Sequence, residues 1–163
     1  MVVEANQTFQ DKKKTIALVA HDGRKEDLAH WVLLNSAEIM ECKIVATKTT
    51  GEMVSKHLLE VLNHEDYKKI EFELLKSGPL GGDQELGARI TAGEIDMLIF
   101  LWDPMSMQPH DVDMKALLRL AVLYNIPTAC NRSTADYLIS SILFKSRDYK
   151  PIQKDYSEYL DRE

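Results

Sequence analysis

Ile70-Glu71-Phe72-Glu73-Leu74-Leu75-Lys76-Ser77-Gly78-Pro79-Leu80-Gly81-Gly82-Asp83-Gln84 changes character twice within fifteen residues. Ile70 to Lys76 is apolar with partial alternation and reads as a strand. Gln84 to Ile90 is amphipathic and reads as a helix that runs to Gly93. Between them lies a loop with three glycines. Glycine tolerates positive φ and lets a ligand approach the main chain, so this loop bares its backbone N–H groups. It also carries Asp83 to the mouth of the following helix. A strand that passes into a helix in this way is the unit of an α/β sheet, and the loop suits an anion site that ends in a base. Many βα loops carry glycine, so the rest of the chain has to supply the argument.

On both sides of this stretch strands alternate with helices. Thr15-Ile-Ala-Leu-Val-Ala20 is a continuous apolar run of buried-strand length and ends at His21-Asp22-Gly23. From Arg24 to Met40 apolar residues recur at helical spacing. Lys43 to Thr47 is a second strand, ending in Lys48-Thr49-Thr50-Gly51, and Glu52 to Leu62 is a helix. His64 to Lys69 reads as a charged connection. Asp96-Met-Leu-Ile-Phe-Leu-Trp102 is the most hydrophobic strand, expected at the centre of the sheet, and ends at Asp103-Pro104. A helix follows over Val112 to Tyr124, a last strand over Thr128 to Cys130, and a helix capped by Asn131 to Thr134 that runs through Ile142. The tail ends in a short helical stretch, Tyr156 to Arg162.

Strands separated by helices imply βαβ units. The expected fold is a Rossmann-like three-layer α/β sandwich: a mainly parallel, five-stranded sheet with helices on both faces, formed by residues 1–163 as a single domain after a poorly ordered lead-in over 1–13. Ligands of such sheets bind outside the carboxyl ends of the strands. His21-Asp22, Thr47 to Thr50, Ser77 to Asp83, Asp103 and Asn131 each follow a strand end, so they should share one rim.

Each candidate on that rim has an ordinary alternative. Thr47, Lys48, Thr49 and Thr50 offer hydroxyls and free N–H groups to a phosphate at a helix start, or Thr simply caps the helix. Ser77-Gly78 adds a second hydroxyl and N–H pair. Lys25 reaches the same rim as a cation, or is a solvated surface lysine. Asp83 is a general base or a helix cap. The helix dipole would favour its ionised form, and desolvation would raise its basicity. Asp103 is a functional carboxylate or a turn former before Pro104. His110, in Pro109-His110-Asp111-Val112-Asp113, stands where a neutral imidazole can donate to a developing oxyanion, while Asp111 and Asp113 favour the helix start. His30, His57 and His64 read as surface residues.

Composition narrows the function classes. The chain has 163 residues, is 45% hydrophobic and 28% charged, and carries a formal charge of −6. That balance belongs to a globular protein and argues against a basic nucleic-acid face. No apolar run approaches the ~20 residues of a membrane span, and the N-terminus lacks a signal-peptide core. Two cysteines without a CxxC suit free thiols in the cytoplasm. No Cys or His cluster has metal spacing, and neither a GxGxxG after the first strand nor a Walker A sequence is present. A carboxylate base, a neutral electrophile and a phosphate clamp are what deprotonation beside a carbonyl in a small phosphorylated sugar requires.

Taken together, Ile16 to Asp22, Ala46 to Gly51, SGPLGGDQ over 77–84, Ile95 to Pro104 with its WDP, PHDVD within Pro109 to Ala121, and Asn125-Ile-Pro127 resemble the methylglyoxal synthase family. The resemblance spans residues 15 to 137. It implies a lyase that converts dihydroxyacetone phosphate to methylglyoxal and inorganic phosphate without a cofactor, in a homohexamer. By that resemblance Asp83 is the base and His110 stabilises the enediolate oxygen. His21, Lys25, Thr47, Thr49, Thr50, Ser77 and Gly78 hold the substrate, mainly its phosphate. Asp103 and Asp113 match further site carboxylates, expected to orient His110 and the loop. Arg162 falls near a family arginine that serves a neighbouring subunit's site. Two departures stand out. Lys48 replaces a family glycine, which costs strain if the position needs positive φ and otherwise adds a phosphate contact. The segment Glu52 to Lys76 is longer than usual, so the stretch around Asn63 to Lys69 should be a surface excursion away from the rim. The alternative reading is a phosphate-effector module of the same fold, as in carbamoyl phosphate synthetase, which needs the cradle but not Asp83, His110 and Asp103 together.

Overall fold

The computed structural model describes residues 13–146 and 148–160. The lead-in expected over 1–13, apart from Lys13, and Arg162 lie outside them. Five strands form one sheet: β1 (Thr15–Ala20), β2 (Lys43–Ala46), β3 (Glu71–Leu74), β4 (Met97–Leu101) and β5 (Thr128–Ala129). Every pairing is parallel and the order is β3-β2-β1-β4-β5. The central place belongs to β1, not to the more hydrophobic β4. The two strands are buried along their whole lengths, as parallel strands covered on both faces must be. Which of them lies in the middle is set by the crossover.

Side-chain alternation divides the core. Ile16, Leu18, Ile44 and Ile99 point to the face covered by α1 (Lys25–Leu34), α2 (Ser36–Met40), α3 (Lys48–Val61) and α7 (Arg132–Ser140). Ala17, Val19, Val45, Leu98 and Phe100 point to the other face, where α5 (Gly82–Thr91) and α6 (Asp111–Leu123) pack with Leu86, Ile90, Met114 and Leu117. The chain therefore builds outward from β1 to β3 and then crosses to β4 on the other side of β1. The strand order reverses at β1, and the carboxyl ends of β1 and β4 flank the crevice this creates.

Three local outcomes differ from the sequence reading. The helix expected as continuous over Arg24 to Met40 breaks between α1 and α2 at Asn35. There the side-chain Nδ2 donates to the Trp31 carbonyl at 2.8 Å and competes with the helical ladder. Helix α3 starts at Lys48 rather than Glu52, because Gly51 is a packing position and not a turn: a Cβ there would lie 2.2 Å from Leu74 Cδ2. The charged connection at His64 is a short helix, α4 (His64–Lys68). It is capped by Asn63, which accepts from the Asp66 N–H at 2.9 Å, and Tyr67 is tied to Ser55 of α3 at 2.6 Å. The remaining short helices are α8 (Ile142–Lys145) and α9 (Ser157–Leu160).

Candidate active site

The glycine-rich loop after β3 folds as a 3₁₀ turn over Gly78–Leu80 followed by the first turn of α5. Gly81 takes φ +104, a left-handed conformation that glycine adopts without a Cβ penalty. Gly82 packs so closely that a Cβ would lie 2.0 Å from the Lys76 carbonyl oxygen. The pair closes a turn tight enough to swing Asp83 inward. The Asp83 side chain is 2% exposed, and its Oδ2 has no hydrogen-bond partner. It does not cap its helix; Gly81 occupies that place.

Facing it is His110, the residue before α6, with Nε2 3.7 Å from Asp83 Oδ2. The His110 side chain does not cap α6 either, and its Nδ1 is buried without a partner. Buried polar atoms are nearly always paired, so two orphans on adjoining side chains point to a site awaiting a polar ligand. Gly78 keeps the space beside them open. A Cβ there would sit 3.0 Å from both Asp83 Oδ2 and His110 Nε2. Burial holds the Asp83 carboxyl above its ordinary range. The His110 and His21 rings oppose that shift, and the Asp113 carboxylate adds to it.

A cavity of about 300 Å³ opens beside this pair. Its wall brings together His21, Lys25, Thr47, Thr49, Thr50, Ser77, Gly78, Asp83 and His110 from four loops at the carboxyl ends of the strands. Thr47 precedes α3 yet does not cap it with its side chain; its hydroxyl donates to Thr50 Oγ1 at 3.2 Å. Lys25 Nζ reaches across from α1 to Thr49 Oγ1 at 2.8 Å and to Asp22 Oδ1 at 2.5 Å. Among the described residues Lys25 is the cation of this wall. The lysine contact pulls the Asp22 carboxyl below its usual range.

Three of the expected residues stand elsewhere. Lys48 is the first residue of α3 and exposed, outside the cavity wall, with its N–H directed to the Lys76 carbonyl at 3.3 Å. Among the described residues Asn125 alone, other than glycine, has positive φ, so Lys48 carries no strain for replacing a glycine. Asp103 serves His21 rather than His110. Its backbone N–H donates to His21 Nδ1 at 3.0 Å, and its own carboxylate accepts from the Met105 N–H at 3.1 Å. Asp113 does not line the cavity; it acts on Asp83 through its charge, from the first turn of α6. Sequence reasoning missed Gln108 and Met114, which line the wall, and put Asp22 on the rim without giving it a role. The i,i+3 spacing of Asp22 and Lys25 at a helix entrance was the available signal for the last. No three His, Cys, Asp or Glu side chains among the described residues stand close enough to hold a metal ion.

An MGS-like domain model matches residues 33–130. Methylglyoxal synthase of Maridesulfovibrio salexigens is 53% identical over 154 residues, covering 93% of this chain and 98% of that protein. The chain belongs to the methylglyoxal synthase family. It is therefore an enzyme, a lyase. Methylglyoxal synthase of Hahella chejuensis is 44% identical over 149 residues, covering 91% of this chain and 90% of that protein. The crystal structure of methylglyoxal synthase from Elizabethkingia anophelis superposes with a TM-score of 0.81 at 42% identity, covering 94% of this chain and 93% of that one. The segment around α4 stands against α3 and away from the cavity. No helix among the described residues is long and apolar enough to cross a membrane.

Proposed function

We propose that the chain converts dihydroxyacetone phosphate to methylglyoxal and inorganic phosphate in this cavity, as a cytoplasmic enzyme. The observation that carries the assignment is the buried Oδ2 of Asp83, without a hydrogen-bond partner, facing His110 beside a space that a Cβ on Gly78 would fill. Asp83 takes a proton from the hydroxymethyl carbon. The electron pair of that C–H bond moves toward the carbonyl, and His110 Nε2 stabilises the resulting enediolate oxygen. The phosphate group rests against Lys25, Thr47, Thr49, Thr50, Ser77 and the Gly78 N–H, with His21 beside them. When its C–O bond stands out of the enediolate plane, that bond overlaps the π system and breaks. Phosphate departs with the electron pair, and the remaining enol takes up a proton at its methylene carbon to become methylglyoxal. A cradle with contacts from several loops fixes that bond orientation, which is a positioning effect.

Asp113 tunes the base through its charge, and Asp103 holds His21. The assembly is a homohexamer. Leu80, Met105, Met107 and Val112, all exposed on the loops and helix start that flank the cavity, supply apolar surface for contacts between copies. The decisive experiment is to incubate purified protein with dihydroxyacetone phosphate and measure methylglyoxal and phosphate in equal amounts. Asp83→Asn should lower kcat by roughly 10²–10⁴ or more, the worth of a general base. Absence of methylglyoxal from the parent, or parental rates in Asp83→Asn, would sink the assignment.

A further inference from the structure

The His21 ring is buried and already uses both nitrogens. Nδ1 meets the Asp103 backbone twice: the N–H donates to it at 3.0 Å, and the carbonyl oxygen stands farther off at 3.3 Å; the shorter contact makes Nδ1 the acceptor and leaves the proton of a neutral ring on Nε2. That N–H faces the thioether sulfur of Met114. Phe100 meets the ring edge-on, with centroids 5.4 Å apart, and fixes its plane. Met114 is 6% exposed, stands one turn after His110 on α6, and lines the cavity that His21 lines.

A thioether is a weak acceptor. It keeps a buried N–H from being left unpaired, at which point the donor would bear its full desolvation cost. Yet it holds that donor far less firmly than an oxygen would. A phosphoryl oxygen is a charged acceptor, and its bonds to N–H are about twice as strong as neutral ones. We propose that Met114 is a positioning residue that keeps the His21 Nε2–H in reserve: its sulfur satisfies the donor while the cavity is empty and yields it to an oxygen of the phosphorylated substrate on entry. The same sulfur sets how much binding energy is used in the exchange. An apolar side chain of similar length leaves the N–H unpaired in the free protein, so the ligand gains more on binding. An amide oxygen holds the N–H back, so the ligand gains less.

The inference rests on reading the cavity as a phosphate site, and the experiment separates the two. Protein with ring-15N histidine is examined by long-range 1H–15N spectra, for the parent, Met114→Leu and Met114→Gln, during titration with inorganic phosphate. His21 should show the Nε2–H tautomer in the free parent, and its Nε2 resonance should move as phosphate binds. The phosphate Kd and the KM for dihydroxyacetone phosphate should fall about three- to ten-fold in Met114→Leu and rise by a similar factor in Met114→Gln. Circular dichroism of each variant establishes that it is folded. Both variants shifting affinity in one direction, or His21 ring resonances in Met114→Leu that coincide with the parent's, would overturn the proposal. So would a His21 Nε2 resonance that ignores phosphate. A parent that makes no methylglyoxal sinks the lyase assignment instead and leaves the spectra and the phosphate titration to decide the role of Met114.

Discussion

Asp83 sits where its own charge is unwelcome. Burial is the largest influence on it and raises its pKa, His110 draws the value down, Asp113 pushes it up, and His21 opposes. Removing the Asp113 charge with Asp113→Asn should therefore lower the Asp83 pKa. The acidic limb of the kcat/KM profile should move to lower pH; a limb that stays or moves upward would contradict this source of the shift. The same perturbation has a stability consequence. A carboxyl with a raised folded-state pKa binds more protons folded than unfolded, so stability falls as pH climbs from the unfolded value toward and through the folded one. Asp83→Asn is freed of that cost. It should melt at a higher temperature than the parent near neutral pH, and the advantage should vanish once the pH is below the unfolded carboxyl value of about 3.9. Thermal melts across that range read it directly. The loss of activity and the gain in Tm belong to one residue, as expected when a site is strained for function.

At the scale of elements, caps and glycines separate what local sequence could say from what it could not. Thr47 and Asp83 stand at helix starts, where each could have been an ordinary cap, and His110 stands just before a third helix. None caps with its side chain, and that frees all three for the cavity. The ambiguity was irreducible from sequence, since the same residue types serve both ends. The start of α3 was misplaced because Lys48 to Gly51 read as a loop, whereas Gly51 is small to let α3 lie against Leu74 and Ala46. Lys48 at the head of that helix is unstrained and exposed. Lys48→Gly should consequently destabilise the fold, by up to about 1 kcal/mol, while leaving the KM unchanged. A large KM change would place Lys48 in the cradle after all. Denaturant melts and steady-state kinetics on one preparation distinguish the outcomes.

For the whole molecule, the proposed hexamer can be tested at the exposed apolar side chains beside the cavity. Met105 and Met107 are 91% and 93% exposed. Apolar side chains this exposed supply surface for the contacts between copies proposed above. Sedimentation of the full chain should give the mass of six copies, and Met105→Asp combined with Met107→Asp should shift it toward smaller species. A parent that sediments as a monomer would contradict the hexamer.

Residue order alone determined the alternation of strand and helix, the loops that follow each strand, and the combination SGPLGGDQ, WDP and PHDVD that carries the family. These are short-range properties, written in hydrophobic period and turn chemistry within a few residues. Tertiary structure decided which strand lies at the centre, because crossover topology and not hydrophobicity orders a sheet whose strands are all buried. It also decided that Asp103 braces His21, that Met114 faces the same ring, and that Asp83 Oδ2 and His110 Nδ1 are buried without a hydrogen-bond partner. Those relations join residues far apart in the chain, and distance and burial exist only once the chain has folded.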